Sequence, residues 1–284
     1  MKESEEMMGL DAVALALALL PAGTDAAAAK EPIPYEREIA QWREAREARL
    51  KADGGWLTVA GLFWLKEGEN KFGTDPAGDI VLPAGSAAAS AGVLELRERH
   101  TKIRIAPGVV ATVDGKPITS LELRADSSGT PDVVTMGALT MHVIERGGRF
   151  GIRLKDMNSS LRKEFTGLKW FPVKESYRVV AKFIPRVPAA ELQIPNVLGM
   201  VEKMPSPGTA VFKIGDQEIR LDPVLEDPNA EELFYIFRDS TSGHGTYPAG
   251  RFLYSAMPKD GQVVLDFNKA YNPPCAFTPY ATCP

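Results

Sequence analysis

Apolar positions along the chain change period once, and the change divides a helical segment from a long β region. From Tyr35 to Lys51 the residues Ile39, Trp42, Ala45 and Leu50 recur at helical spacing among Glu and Arg, which predicts one amphipathic helix. The pair Gly54-Gly55 ends it, and the strongly apolar run 56–65 is expected in the core as a strand or buried connector. Short β-branched runs follow at 79–82, 92–96, 102–105 and 109–113, with Pro107-Gly108 and Asp114-Gly115 between them. Further runs lie at 132–135, 139–144 and 150–154, the last two alternating polar and apolar as half-buried strands do. Short, evenly spaced strands with tight turns predict a β-sandwich.

Beyond residue 156 the pattern starts again. Residues 162–172 mix aromatics with cations, 177–183 alternate as a strand, and 185–208 read as a Pro- and Gly-rich link. Strands are expected at 210–214, 217–221, 233–237, 250–254 and 263–267, with Gly215-Asp216 turning the first hairpin. These elements suit an antiparallel sheet or a partly closed, barrel-like domain. The fold class is therefore mainly β, with expected boundaries at 1–30 (leader), 31–65 (helix and connector), 66–155 (sandwich) and 156–284 (second β domain).

Composition supports this reading. With 284 residues, 44% of them hydrophobic, the chain can bury cores of ordinary size, and its 22 prolines and 25 glycines favour short strands over long helices. A net charge of −4 gives no basic excess for nucleic acid, so none is expected as a partner. The apolar run 12–20, followed by Pro21, Ala22, Gly23 and the alanines 26–29, has the form of a secretory leader, although the acidic start 1–6 lacks the usual basic n-region. Export to the periplasm or the exterior is the expectation, against a frayed tail on a cytoplasmic protein. The run is shorter than the ~20 residues a membrane-spanning helix needs, so no integral membrane segment is expected.

Residues 266–284 crowd together a carboxylate, two amides, two phenols and both cysteines, Cys275 and Cys283, among prolines that hold the backbone extended. In an exported protein the two cysteines are a disulfide candidate; in a cytosolic one they are reduced thiols. Arg162, Arg178, Arg238 and Arg251 lie on or beside expected strands of the same domain, with Tyr247, Tyr254, Asp266, Asn268, Tyr271 and Asn272. Convergent guanidinium and phenol groups suit recognition of a small polar or anionic ligand, whereas the structural alternative pairs Arg238 or Arg251 with Asp239 or Asp266.

His244, in a glycine-flanked polar loop, is the one histidine placed to act as a general base. A hydrolase using His244 and Asp266 with a nearby Ser or Tyr is thus the alternative to a binding module. A triad drawn from Asp239, Ser240 or Ser242 and His244 would lie within six residues and lacks a nucleophile elbow, so a capped turn is the plainer reading. His100 and His142 have no metal-ligand spacing, and neither a metal nor a cofactor is expected.

Two resemblances extend this picture. Residues 68–82, the Ser86 loop and Asp114-Gly115 resemble the forkhead-associated (FHA) domain, a phosphothreonine-reading β-sandwich. Thr74 stands where that family has a phosphate-binding Arg, and 86–92 contains no histidine, which implies an FHA-like sandwich with a degenerate phosphosite. A scaffold role through a protein partner of that sandwich is the third reading. Residues 237–243, 246–254, 266–275 and Cys283-Pro284 resemble the domain-of-unknown-function family 1684, and the likeness runs back through 165–168 and Tyr177-Arg178 to 35–39. It implies a bacterial protein, often with a secretion or lipoprotein leader, and carries no activity with it. Where that family has a Glu before its Thr-Tyr pair this chain has His244-Gly245, and the resemblance implies further residues, including a closing strand, after Pro284.

Overall fold

Helix α1 (Tyr35–Lys51) opens the described part of the computed structural model, which covers residues 34–227 and 229–284. The leader expected at 1–30 lies outside those residues. Ile39 and Leu50 are buried, as the apolar stripe requires, and Glu36, Glu38, Arg49 and Lys51 place acid and base at the favourable ends of the helix dipole. Gly55 then lets the chain turn close under the helix: a Cβ there would sit 2.5 Å from the carbonyl oxygens of Arg49 and Leu50. No helix among the described residues is long and apolar enough to cross a membrane.

Eleven strands form the sandwich: β1 (Val59–Trp64), β2 (Gly68–Gly73), β3 (Ile80–Val81), β4 (Gly92–Arg97), β5 (His100–Ile105), β6 (Thr112–Val113), β7 (Lys116–Pro117), β8 (Ser120–Leu123), β9 (Val134–Met136), β10 (Leu139–Arg146) and β11 (Arg149–Asp156). One sheet runs β1-β11-β10-β9-β6-β7, the other β3-β2-β4-β5-β8. Between them Leu94, Ile103, Val134, Met141 and Ile152 are fully buried, and each such side chain stabilises the fold by about 1.5–3 kcal/mol relative to exposure. The apolar run after the helix is strand β1, paired with β11, so the sandwich begins at Val59 and not at residue 66. Of the run expected at 109–113, only Thr112–Val113 is paired.

Strand β11 departs from the expected alternation, because Gly151, Ile152, Arg153 and Leu154 are all buried. Its second face is covered: the Arg153 guanidinium lies 5.2 Å from the Trp56 ring centroid and donates to the Thr282 hydroxyl at 3.0 Å. His142 faces Arg153 across the β10–β11 ladder. Burial, reinforced by Lys155 and Arg153, lowers the His142 pKa to about 4.

The second half comprises a short helix α2 (Ser160–Lys163) and strands β12 (Arg178–Pro195), β13 (Val201–Ile214), β14 (Gln217–Leu221), β15 (Glu232–Phe237), β16 (Arg251–Ala256) and β17 (Gln262–Asp266). One sheet has the order β14-β13-β12-β17, and β15 pairs with β16. The expected link at 185–208 is instead one long hairpin, with a register shift between Pro185 and Ala190. The prolines are tolerated because β17 pairs with β12 only over Arg178–Lys182, so farther along one side of β12 has no ladder for a missing N–H to break.

Strand β15 serves two cores. Leu233, Tyr235 and Phe237 pack with Phe183, Phe212, Leu253 and Leu265, while Phe234 turns the other way onto Phe252, Val224 and Cys283. The Phe234 ring meets Phe252 edge-on and stacks on Tyr254, both at 4.8 Å between centroids.

Two outcomes are expected from this packing. Phe234→Ala should destabilise the protein by about 3–5 kcal/mol, read from the urea midpoint, and a loss below 1 kcal/mol would contradict the shared-core arrangement. For His142, whose ordinary value is 6.5, the unfolded chain takes up the proton first. The contribution of the neutral ring is therefore complete above about pH 6.5 and is lost as the pH falls towards 4. His142→Gln should lose less stability than the parent between about pH 7 and pH 4.5; equal losses would show that the ring does not titrate in this window.

Candidate functional site

At the open side of the second half lies a cavity of about 470 Å3. Its floor is Phe212 and Ile214 of β13 with Ile219 and Leu221 of β14, joined by Phe237 and Phe267. Phe212 and Ile219 are register partners and the side chains alternate along each strand, which turns one face of this hairpin to the cavity. The residues Trp170, Phe171, Pro172, Lys174 and Tyr177 form one wall, Arg43 of α1 reaches in beside them, and Arg238 to Thr241 with Arg251 close the other side. A smaller cavity of about 340 Å3 adjoins it, lined in part by Leu168, Thr246, Tyr271 and Asn272, and shares Trp170, Phe171, Arg251 and Ala270 with the first.

The wall 168–177 has no regular structure before its final turn, and side chains from remote parts of the chain hold it. The carboxamide of Asn268 pairs with both backbone groups of Lys174: Oδ1 accepts the Lys174 N–H at 2.9 Å and Nδ2 donates to the Lys174 carbonyl at 2.8 Å. Nδ2 also donates to the Tyr35 hydroxyl at 2.8 Å, which in turn donates to Asp266 at 2.8 Å. Burial, strengthened by the Asp266 carboxylate, pushes the Tyr35 phenol well above its ordinary range. On α1, the Glu47 carboxylate accepts from the Trp170 indole N–H at 2.8 Å and the Leu168 N–H at 3.1 Å. Arg43 lies over the Trp170 ring, 5.0 Å from its centroid, and donates to the Phe171 carbonyl at 3.0 Å.

Arg251 stands between the two cavities. Its guanidinium pairs with Asp239 and lies 5.2 Å from the Phe237 centroid, while its Nε is buried without a partner. Burial alone would raise the pKa of Asp239, but hydrogen bonds from Thr241 and Arg251 outweigh it and hold the carboxyl below its ordinary value. Arg238 and Lys174 are exposed and have no carboxylate partner among the described residues.

Of the residues expected to bind a ligand, Arg238, Arg251 and Asn268 line the larger cavity, and Arg251, Tyr271 and Asn272 the smaller. The others have structural partners. Arg162 donates to the Lys51 carbonyl at 2.8 Å and pairs with Asp53 at 2.5 Å, fastening α2 to the end of α1. Arg178 lies over the Tyr35 ring, and Tyr254 donates to Glu226 at 2.7 Å. Asp266 is buried, caps the turn 267–269 through the Asn268 N–H and accepts the Tyr35 hydroxyl's hydrogen bond, so its oxygens serve the scaffold. His244 is exposed on the loop 241–246, and neither it nor Asp266 lines either cavity.

Cys275 and Cys283, the disulfide candidate, lie beside each other as free thiols. The Cys275 N–H donates to the Cys283 sulfur at 3.3 Å, and hydrogen bonding from Cys283 and Tyr247 brings the Cys275 thiol down to about 7 against the effect of burial. Sequence reasoning missed Arg43, Lys174 and the apolar floor; the available signal was the mixture of aromatics and cations in 162–172. No cluster of acidic, His or Cys side chains that could hold a metal occurs among the described residues. In the sandwich, the Thr74 and Asp75 N–H groups donate to the Ala88 and Ala89 carbonyls at 3.1 Å and tie together the two loops that flank β3.

Asn268→Leu should remove the wall's anchor and leave both Lys174 backbone groups unpaired. The expected loss is about 1–3 kcal/mol in urea unfolding, with faster amide exchange at Lys174; unchanged stability and exchange would show the pairing to be incidental.

None of the curated proteins compared matches the chain. Among solved structures, an uncharacterized protein of Haloarcula marismortui is similar at 27% identity over 43% of this chain and 69% of that one, with a TM-score of 0.37. The FHA-2 domain of a Mycobacterium tuberculosis ABC transporter is similar at 24% identity over 31% of this chain and 77% of that one, with a TM-score of 0.24. An FHA domain solved in complex with an intracellular domain of another protein is similar at 15% identity over 33% and 97%, also with a TM-score of 0.24. Residues 163–284, which contain nearly all of the cavity lining, match the family described as protein of unknown function, DUF1684.

Proposed function

We propose that the chain is a binding module that takes a small anionic ligand in the cavity of its second half. The observation that carries this reading is the charge of the lining: Arg43, Lys174, Arg238 and Arg251 meet a single carboxylate, Asp239. Asp239 is already engaged by Arg251, so Arg43, Lys174 and Arg238 are left to meet an incoming anion. Cations gathered at a concave site attract and orient an anionic group, and guanidinium groups do so with directional hydrogen bonds. The volume lies within the ordinary range for small-ligand pockets, roughly 300–1,000 Å3. Export of this module is supported by the leader-like run 12–20.

Arg238 is the informative position, because it is exposed and its removal leaves no buried charge behind. Titration with anilinonaphthalene sulfonate, an organic anion that fluoresces on binding, should give saturable binding to the parent protein. Arg238→Ala should weaken it by about tenfold with an unchanged melting temperature. Equal affinity of parent and variant, or no saturable binding to the parent, would overturn the reading.

A further inference from the structure

We infer that the ligand is an amphiphilic anion, of the class of a free medium-chain carboxylate, and not a fully polar ion such as phosphate or a sugar acid. This inference rests on the binding reading above and narrows it. Phe212, Ile214, Ile219 and Leu221 form a continuous apolar face on one hairpin, and the space over them is cavity. Ile214, Ile219 and Leu221 are therefore only partly buried, although they belong to the same apolar cluster as Leu233 and Leu265, which are fully buried. On the opposite wall Phe171 is 52% exposed at the lip.

A polar ion seated on this floor would exchange its hydration for groups that cannot hydrogen-bond, a loss that the cations of the walls would have to offset. An apolar body instead removes the strand face from water, and each methylene so buried tightens binding about fourfold. The charges line the cavity's walls and not its floor. Arg238 and Lys174 lie exposed at the rim, and Arg43 spends one nitrogen on the Phe171 carbonyl. A carboxylate at the rim and a chain laid over β13 and β14 satisfy both surfaces at once. A second anionic group farther along the chain would fall on the apolar floor.

The test is isothermal titration of the full chain with acetate, hexanoate, octanoate, octanol and inorganic phosphate, repeated for octanoate on Ile219→Glu and Ile219→Ala. Octanoate is expected to bind about tenfold or more tighter than hexanoate, and acetate and phosphate only weakly. Octanol should bind about tenfold weaker than octanoate. Ile219→Glu should abolish octanoate binding and Ile219→Ala should weaken it severalfold. If the glutamate variant does not fold, the alanine variant and the chain-length series decide. Octanoate no tighter than acetate, or phosphate the tightest of the series, would overturn the amphiphile and leave the anion reading standing. Octanol equal to octanoate would overturn the anionic head and with it the proposed function. No binding by any of the five would overturn both.

Discussion

The bidentate pairing of the Asn268 carboxamide with the backbone of Lys174 is the contact on which the candidate site depends. Without regular structure in most of 168–177, that wall has few ladder hydrogen bonds of its own, and a backbone segment is held in place only where its polar groups find partners. Asn268 supplies one donor and one acceptor from a buried turn that Asp266 caps, and the same amide reaches Tyr35 at the start of α1. Three remote segments thus meet at one side chain. The helix reinforces the arrangement through Glu47 on the Trp170 indole and through Arg46, whose guanidinium stacks 3.7 Å from the Tyr271 ring centroid.

The same segments frame the cavity. Strands β15 and β16 are packed on both faces, and their end at Phe237 and Arg251 forms a fixed rear wall. Strand β14 is an edge strand, and its inward face meets no further layer beyond the cavity. Apolar side chains at such a position would ordinarily be covered by another element, since burial is their main contribution to stability. Here the segment 168–177 faces them across the cavity, which leaves an apolar floor between walls that carry cations.

Much of the fold was legible because local signals and tertiary packing agree. Ile39 and Leu50 marked the buried stripe of α1, and Asp114-Gly115 marked a hairpin whose two central residues both have positive φ, 50° and 74°. The Glu98-Arg99 turn has the same backbone shape, with φ of 49° and 69°, but no residue preference announced it. Prolines hid the length of β12 and β13, because their meaning depends on which side of the strand is paired. The cavity lining was legible only where its residues are close in sequence: Arg238, Arg251 and Asn268 share one stretch, while Arg43 and Lys174 enter through contacts to residues 128 and 94 positions away. Arg162 and Tyr254 were equally plausible by residue type, and only the structure shows Asp53 and Glu226 occupying them.

In the proposed binding mode one anionic amphiphile satisfies both the cationic rim and the apolar floor. A crystal structure of the protein grown with saturating octanoate tests it most directly. The expected result is a carboxylate within hydrogen-bond distance of Arg238 or Lys174, with the chain lying across Ile219 and Phe212. A chain directed to solvent, a head group seated on the apolar floor, or a cavity holding only water would contradict it.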